Sequence, residues 1–297
     1  MNNKVIFVGG TSFSGSTMLD MILSNDPHGN SLGEIIALFR PHREHHFQEI
    51  KKLKTDKDWL KILDDGEKNL YQNLFNIYNN TEYFVDSSKD PNWIKKNIKI
   101  LKNNNIDFKN VLIYKTPAEL AHSFAKRNKI NILDSHIEAY YKTYLYYIKD
   151  FRSVSYKQLV KEPKVLELLC NYLQIDYFIG KEKFWQKEHH TFFGNRRARV
   201  HTDNLKPEDK NVEQNLTKDG YQKLYYVEPD NEELMELGKK IELKYKNIFE
   251  YIYSKNITPN NSVINYYPSH LEMKKKWMYS KSKFLINNFK AKVNKQL

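Results

Sequence analysis

Cysteine is almost absent from this chain. The one present, Cys170, lies inside an apolar helical pattern, so no internal disulfide can form and a buried core thiol is expected. No apolar run reaches membrane-spanning length, and the first residues pass directly into a short apolar stretch without a leader-like segment. The expectation is a soluble, cytoplasmic protein. No Gly-, Ser- or Pro-rich linker interrupts the 297 residues and no internal repeat is visible. One large domain, 1–270, is therefore expected, followed by a distinct tail, 271–297. Acidic residues are missing after Glu272, while eight lysines follow it. The tail thus holds most of the net charge of +12, leaving the body near about +4, and nucleic-acid binding is not expected of the body. His42, His45 and His46 stand close together. No cysteine or carboxylate spacing accompanies them, so a surface helix is expected there rather than a metal site.

Glycine is also scarce, and three of the ten glycines fall in one short stretch near the start. The apolar run Val5-Ile6-Phe7-Val8 leads into Gly9-Gly10-Thr11-Ser12-Phe13-Ser14-Gly15-Ser16-Thr17 and then into Met18–Leu23. That order predicts strand, glycine-bearing turn and helix. Such a turn aims backbone N–H groups and hydroxyls at one point, and the helix adds the positive end of its dipole. The turn lacks the Gly-Lys-Ser/Thr ending of nucleoside triphosphate-binding loops, in which lysine meets the outer phosphates and a hydroxyl meets magnesium. Ser14-Gly15-Ser16-Thr17 stands there instead, with no lysine or arginine in the turn. Hydroxyls without lysine suit a less charged phosphate donor that needs no metal.

Three more short segments, Tyr83–Asp86, the apolar Val111–Tyr114 and Arg152–Ser155, read as strands. Helices are expected between them: from Pro91, from Pro117 to about Arg127, and over Pro163–Leu173. Ser135 with Glu138 reads as a capping box. Asp230 and Glu233 read as the cap of one last helix carrying Leu234, Leu237, Ile241, Tyr245, Ile248 and Ile252. Strands alternating with helices imply a parallel sheet flanked by helices. The expected fold class is α/β, a P-loop-containing three-layer sandwich. In such sheets ligands bind off the carboxyl ends of the strands. The glycine turn, Ser88-Lys89 and Lys115 all lie just past strand ends, so they are expected to meet in one crevice.

These segments together resemble the sulfotransferases that use 3′-phosphoadenosine 5′-phosphosulfate, especially the bacterial and Golgi-type carbohydrate and tyrosylprotein branches. The family's N-terminal Ser-Gly-Ser/Thr-Thr turn holds the 5′-phosphosulfate, which the resemblance assigns here to Ser12, Phe13, Ser14, Gly15, Ser16 and Thr17. Its second element is a basic residue after a strand, a proline two residues on and a serine eight residues on; it grips the 3′-phosphate. Lys115, Pro117 and Ser123 match, with Arg127 nearby and Lys115 where arginine is usual. Gly33-Glu34 matches the segment that supplies the base, and Val85–Pro91 the segment whose lysine, here Lys89, approaches the bridging oxygen. Ser155–Pro163 resembles a strand-then-helix segment of the family. His190 and Gly194 through Arg196 and Arg197 resemble a late loop that closes over the nucleotide. Phe13 occupies a position where the family often has a basic residue.

Chemistry agrees with the resemblance. An acceptor hydroxyl must lose its proton, for which Glu34 is the candidate base. Negative charge grows on the departing oxygen, for which Lys89 is the candidate stabiliser. The two are expected to act at opposite ends of the transfer. No metal is needed. The function implied is sulfonate transfer from the donor to a hydroxyl of a carbohydrate or glycolipid. The alternatives are an unusual P-loop small-molecule kinase and a non-catalytic nucleotide-binding protein. The tail interleaves its lysines with Trp277, Met278, Phe284, Leu285, Phe289 and Val293. A basic amphipathic helix of that kind can lie on the inner face of an anionic membrane or dock on its own domain. The sequence assigns no oligomeric state.

Overall fold

Alternation along the first strand sets the architecture. In β1 (Lys4–Gly9), Val5 and Phe7 face one side of the sheet and Ile6 and Val8 the other, and all four are fully buried. A strand apolar on both faces must be covered on both. The computed structural model, which describes residues 3–187, 189, 191–193, 226–258 and 273, shows this arrangement. Five parallel strands run in the order β2-β3-β1-β4-β5, with β2 at Gly29–Gly33, β3 at Tyr83–Asp86, β4 at Asp107–Tyr114 and β5 at Arg152–Ser155. One face is covered by α1 (Ser16–Leu23), α8 (Tyr156–Lys161) and α9 (Pro163–Leu173). The other carries α3 (Lys57–Asp65), α4 (Leu70–Ile77), α5 (Pro91–Asn103), α6 (Pro117–Ala125) and α7 (Leu133–Tyr147), with α10 (Glu232–Lys244) and α11 (Lys246–Ser254). The three-layer α/β sandwich expected from the strand–helix alternation is the fold observed. Cys170 is buried in α9, and burial pushes its thiol up to about 11. Among the described residues no helix is long and apolar enough to cross a membrane.

Three local expectations are corrected and one strand is added. Gly29-Asn30-Ser31 carries little strand propensity, yet it forms β2, paired to β3 through an irregularity between Ser31 and Gly33. Ser135 caps nothing. The turn Ile130–Ile132 runs directly into α7, so Ser135 already lies in the first helical turn, where its hydroxyl donates to the Ile132 carbonyl at 3.1 Å. Asn231, rather than Asp230, caps α10 by accepting from Leu234 N–H at 2.9 Å. The single last helix is two, broken at Tyr245, although Ile241, Tyr245, Ile248 and Ile252 remain one buried stripe. The tail beyond Met273 lies outside the described residues.

The chain between α1 and β2 is pinned from a distance. Lys181 is fully buried and its ammonium donates to Asp26 at 2.9 Å. Lys187 donates to the carbonyls of Ser24, Asp26 and Gly29 at 3.0, 2.6 and 2.8 Å. These bonds fix the start of β2, whose own residues favour a turn. Breaking a buried pair strands a charge and costs about 3–5 kcal/mol, whereas neutralising both partners removes most of that penalty. Lys181→Met should therefore destabilise the fold strongly in urea denaturation, and adding Asp26→Asn should recover much of the loss. Equal stability of the single and double variants would show that the pair is not what holds this segment.

Candidate active site

β1 ends at the glycine turn in the middle of the sheet. Gly15 has φ of 101°, which lets the chain turn into α1, and no side chain caps the helix start. Ser14 is buried and, among the described residues, its hydroxyl has no hydrogen-bond partner. Uncapped helix N–H groups beside an unpartnered buried hydroxyl suit an anionic group. The turn is braced along its length by α7. His136, Tyr140 and Tyr144 lie four residues apart on one face, a rise of about 6 Å per step. Extended chain covers roughly the same distance in two residues. Ser12 N–H accordingly donates to His136 Nε2 at 3.3 Å and Gly10 N–H to the Tyr140 hydroxyl at 2.6 Å. A side chain at Gly9 would run into the Tyr144 ring. Phe13 sits at φ of 68° with its ring edge-on to Phe124 at 4.9 Å and under the Arg127 guanidinium at 4.2 Å. It anchors the turn to α6 rather than offering charge.

The neighbouring strands deliver the other candidates on either side. Beyond β4, Lys115 donates to Ser123 Oγ at 3.2 Å, and Arg127 donates to the Ser123 carbonyl at 2.8 Å. The eight-residue spacing closes because Pro117 starts α6 at once, with Thr116 and Glu119 forming a reciprocal cap. Burial brings the Lys115 ammonium down to about 8; Glu119 opposes the shift and Arg127 and Lys126 add to it. The Tyr156 ring, first residue after β5, lies 4.3 Å from the Lys115 ammonium, and a side chain on Gly15 would meet it at 2.6 Å. Tyr156 thus joins the Lys115 cluster to the glycine turn. Tyr156 falls within the Ser155–Pro163 segment, and its position just past a strand end is the sequence signal for its place here.

Beyond β3, Ser87 donates to Asp20 at 2.6 Å, Ser88 N–H to Asp86 at 2.7 Å, and Ile36 N–H to Ser88 Oγ at 3.1 Å. Lys89 follows at φ of 66°, and its ammonium is ion-paired directly with Glu34. The two candidates expected at opposite ends of the reaction therefore touch each other. Glu34 is held by its N–H, which donates to the Phe192 carbonyl at 2.9 Å; that carbonyl leaves no room for a side chain on Gly33. His46, expected on a surface helix, is buried in α2 (Glu44–Leu53) with its ring 4.9 Å from Phe193. Burial, with the neighbouring His45, His42 and Arg43, pulls His46 down to about 4. Among the described residues no group of three or more His, Cys, Asp or Glu could hold a metal ion. Arg196 and Arg197 lie outside the described residues.

Asp20 and Asp86 are buried carboxyls beneath the Lys89 segment. Tyr71 and Trp93 donate to Asp86 at 2.6 and 2.7 Å, and burial still pushes it upward. Burial raises Asp20 from 3.8 to about 7, against the hydrogen bonds from Ser31 and Ser87. Between those values the folded chain holds a proton that the unfolded chain releases, so this group lowers stability as pH rises through that window. Asp20→Asn removes the contribution. Urea denaturation across pH 4 to 7 should show the variant gaining on the wild type as pH rises; a constant difference between them would mean that Asp20 stays charged.

No family model and no curated protein sequence matches the chain. Its backbone is similar to solved structures. The sulfotransferase domain from the curacin biosynthetic pathway is 15% identical and superposes with a TM-score of 0.50, over 82% of this chain and 98% of that one. The sulfotransferase domain from the Synechococcus PCC 7002 olefin synthase is 16% identical with a TM-score of 0.45, over 80% of this chain and 94% of that one. Likeness at such identity concerns architecture, and the first of the two carries it: this chain has the α/β fold of a sulfotransferase domain, with a glycine turn, Lys89 and Lys115 at adjoining strand ends.

Proposed function

We propose that this protein transfers a sulfonate from 3′-phosphoadenosine 5′-phosphosulfate to a hydroxyl of a carbohydrate or glycolipid. One observation carries the reading. Three strand-end segments are bridged by two tyrosines, Tyr156 between Gly15 and the Lys115 ammonium and Tyr140 between Gly10 and the Lys89 backbone, so that hydroxyls and N–H groups at the turn stand with a half-buried lysine on one side and a lysine–glutamate pair on the other. The unpartnered Ser14 hydroxyl and the uncapped start of α1 fit a phosphosulfate at Ser12–Thr17. Lys115, Ser123 and Arg127 fit the 3′-phosphate, and the Tyr156 ring offers a flat wall between the two. Arg196 or Arg197 closes the nucleotide site in this reading.

The donor supplies a sulfonate already bonded to a good leaving group. Glu34 takes the proton of the acceptor hydroxyl as its oxygen bonds to sulfur. The bond from sulfur to the bridging oxygen breaks, its electron pair stays on the phosphate, and Lys89 donates a hydrogen bond to that oxygen. The ammonium has three N–H donors, so Lys89 can turn toward that oxygen when donor is in place, which loosens its hold on the carboxylate. No lysine in the turn is available for the outer phosphates of a triphosphate, which weighs against a kinase. The lysine-rich tail 271–297 holds the enzyme at an anionic surface where a glycolipid acceptor would lie.

Calorimetry with 3′-phosphoadenosine 5′-phosphate, with and without magnesium, followed by radiolabelled donor and a panel of acceptors, tests the reading. Metal-free binding with transfer is expected; magnesium-dependent binding favours the kinase, and binding without transfer the non-catalytic protein. Lys115→Ala should weaken nucleotide affinity by about tenfold or more. Affinity should also fall as pH rises through about 8, where Lys115 loses its charge, and Lys115→Arg should flatten that dependence. Glu34→Gln should keep nucleotide affinity and lower turnover by roughly a hundredfold. Near-normal turnover in that variant would assign the base elsewhere.

A further inference from the structure

The Tyr140 hydroxyl makes two bonds to two different segments of the site. It accepts from Gly10 N–H at 2.6 Å and donates to the Lys89 carbonyl at 3.0 Å. A phenol has one proton to give, so its donation is committed to Lys89. Burial pushes this phenol upward, so it stays protonated and keeps donating. The residue it holds is the one in the left-handed region of the backbone, φ 66°, where a side chain is unfavourable unless surrounding bonds enforce it. The bare α-carbon of Gly9 gives the tyrosine access: a Cβ there would stand 3.2 Å from the Tyr140 hydroxyl and would strike the Tyr144 ring. Tyr144 stacks on Tyr140 with ring centres 6.0 Å apart, and its own buried hydroxyl has no hydrogen-bond partner among the described residues.

We propose that Tyr140 is a positioning residue that clamps the glycine turn to the backbone of Lys89, so that closure of the donor cradle and the aim of the lysine are set by one hydroxyl. The proposal rests on the reading of Lys89 as the group that meets the departing oxygen. Beside the bonds at Ser87, Ser88 and Glu34, the Lys89 backbone is thereby registered to the turn, and the turn's backbone to it.

Tyr140→Phe removes the hydroxyl and keeps the ring. Tyr144→Phe, one turn along the same helix, removes a hydroxyl without a hydrogen-bond partner among the described residues and controls for the loss of a buried oxygen. Hydrogen exchange on the full chain should speed up by roughly tenfold or more in both the Gly9–Thr17 and the Asp86–Asp90 segments of Tyr140→Phe, and in neither for Tyr144→Phe. With radiolabelled donor, kcat should fall by about tenfold or more while affinity for 3′-phosphoadenosine 5′-phosphate stays within roughly threefold. The double variant Tyr140→Phe with Lys89→Ala should be no slower than Lys89→Ala alone, because the tyrosine acts through the lysine. Unchanged exchange in the Asp86–Asp90 segment, or losses that simply add in the double variant, would overturn the clamp. If the wild type transfers no sulfonate to any hydroxyl, the proposed function fails, and the exchange result alone decides whether Tyr140 couples the two segments.

Discussion

Everything at this site depends on β1 being the middle strand. Because β1 is buried on both faces and paired on both edges, its turn emerges at the centre of the sheet, with β3 on one side and β4 on the other. Two strands about 4.8 Å from the centre deliver their next residues to the flanks of the turn without any long loop. Ser87–Lys89 arrives on one flank and Lys115 on the other. Opposite chemistries are thereby kept apart: a charged pair at Glu34 and Lys89, and a cluster of positive groups at Lys115, Lys126 and Arg127 around the Ser123 hydroxyl.

Much of this was legible because it is local. A short apolar strand, a glycine turn and a helix need only their own residues, and the 115–123 spacing closes because a proline and a capping pair force a helix to begin at once. What was not legible is what distant residues impose. Gly29–Gly33 becomes a strand because β3 accepts it and because Lys181 and Lys187 tie down the chain before it, more than 150 positions away in sequence. Ser135 has the right partner for a cap but the wrong place, since the preceding turn started the helix early. Nothing in the sequence singles out Tyr140 and His136; only their place on one face of α7, against the glycine turn, gives them their partners. The Glu34–Lys89 pair was legible as two residues and not as a contact, because no spacing in the chain encodes the meeting of two loops.

The buried carboxyls beneath the site have a cost that the fold bears. Asp20 and Asp86 sit in surroundings that disfavour their charge, and both are enclosed by hydroxyl, indole and N–H donors aimed at the segment that ends in Lys89. Apolar residues would fill the same space more stably, but they could not accept those donors. The network therefore reads as rigidity obtained against stability. His46 works in the same direction from the other side of Glu34, a titratable ring kept neutral by its packing on Phe193.

The outer strands of the sheet are each engaged by a later part of the chain. On β5, Ser153 donates its N–H to Lys255 and accepts from Ile257 through its carbonyl, so one residue's outward pair is closed by the end of the α11 segment. On β2, Thr191 reaches the Ser31 hydroxyl and Phe192 receives the N–H just past the strand. An open parallel sheet presents a template at each border on which another copy of the chain could grow by adding a strand. Here a short segment of the protein itself takes one or two of the positions that an added strand would need. The same contact that steadies Glu34 thus occupies the main-chain donor at the exit of β2, where a growing sheet would continue.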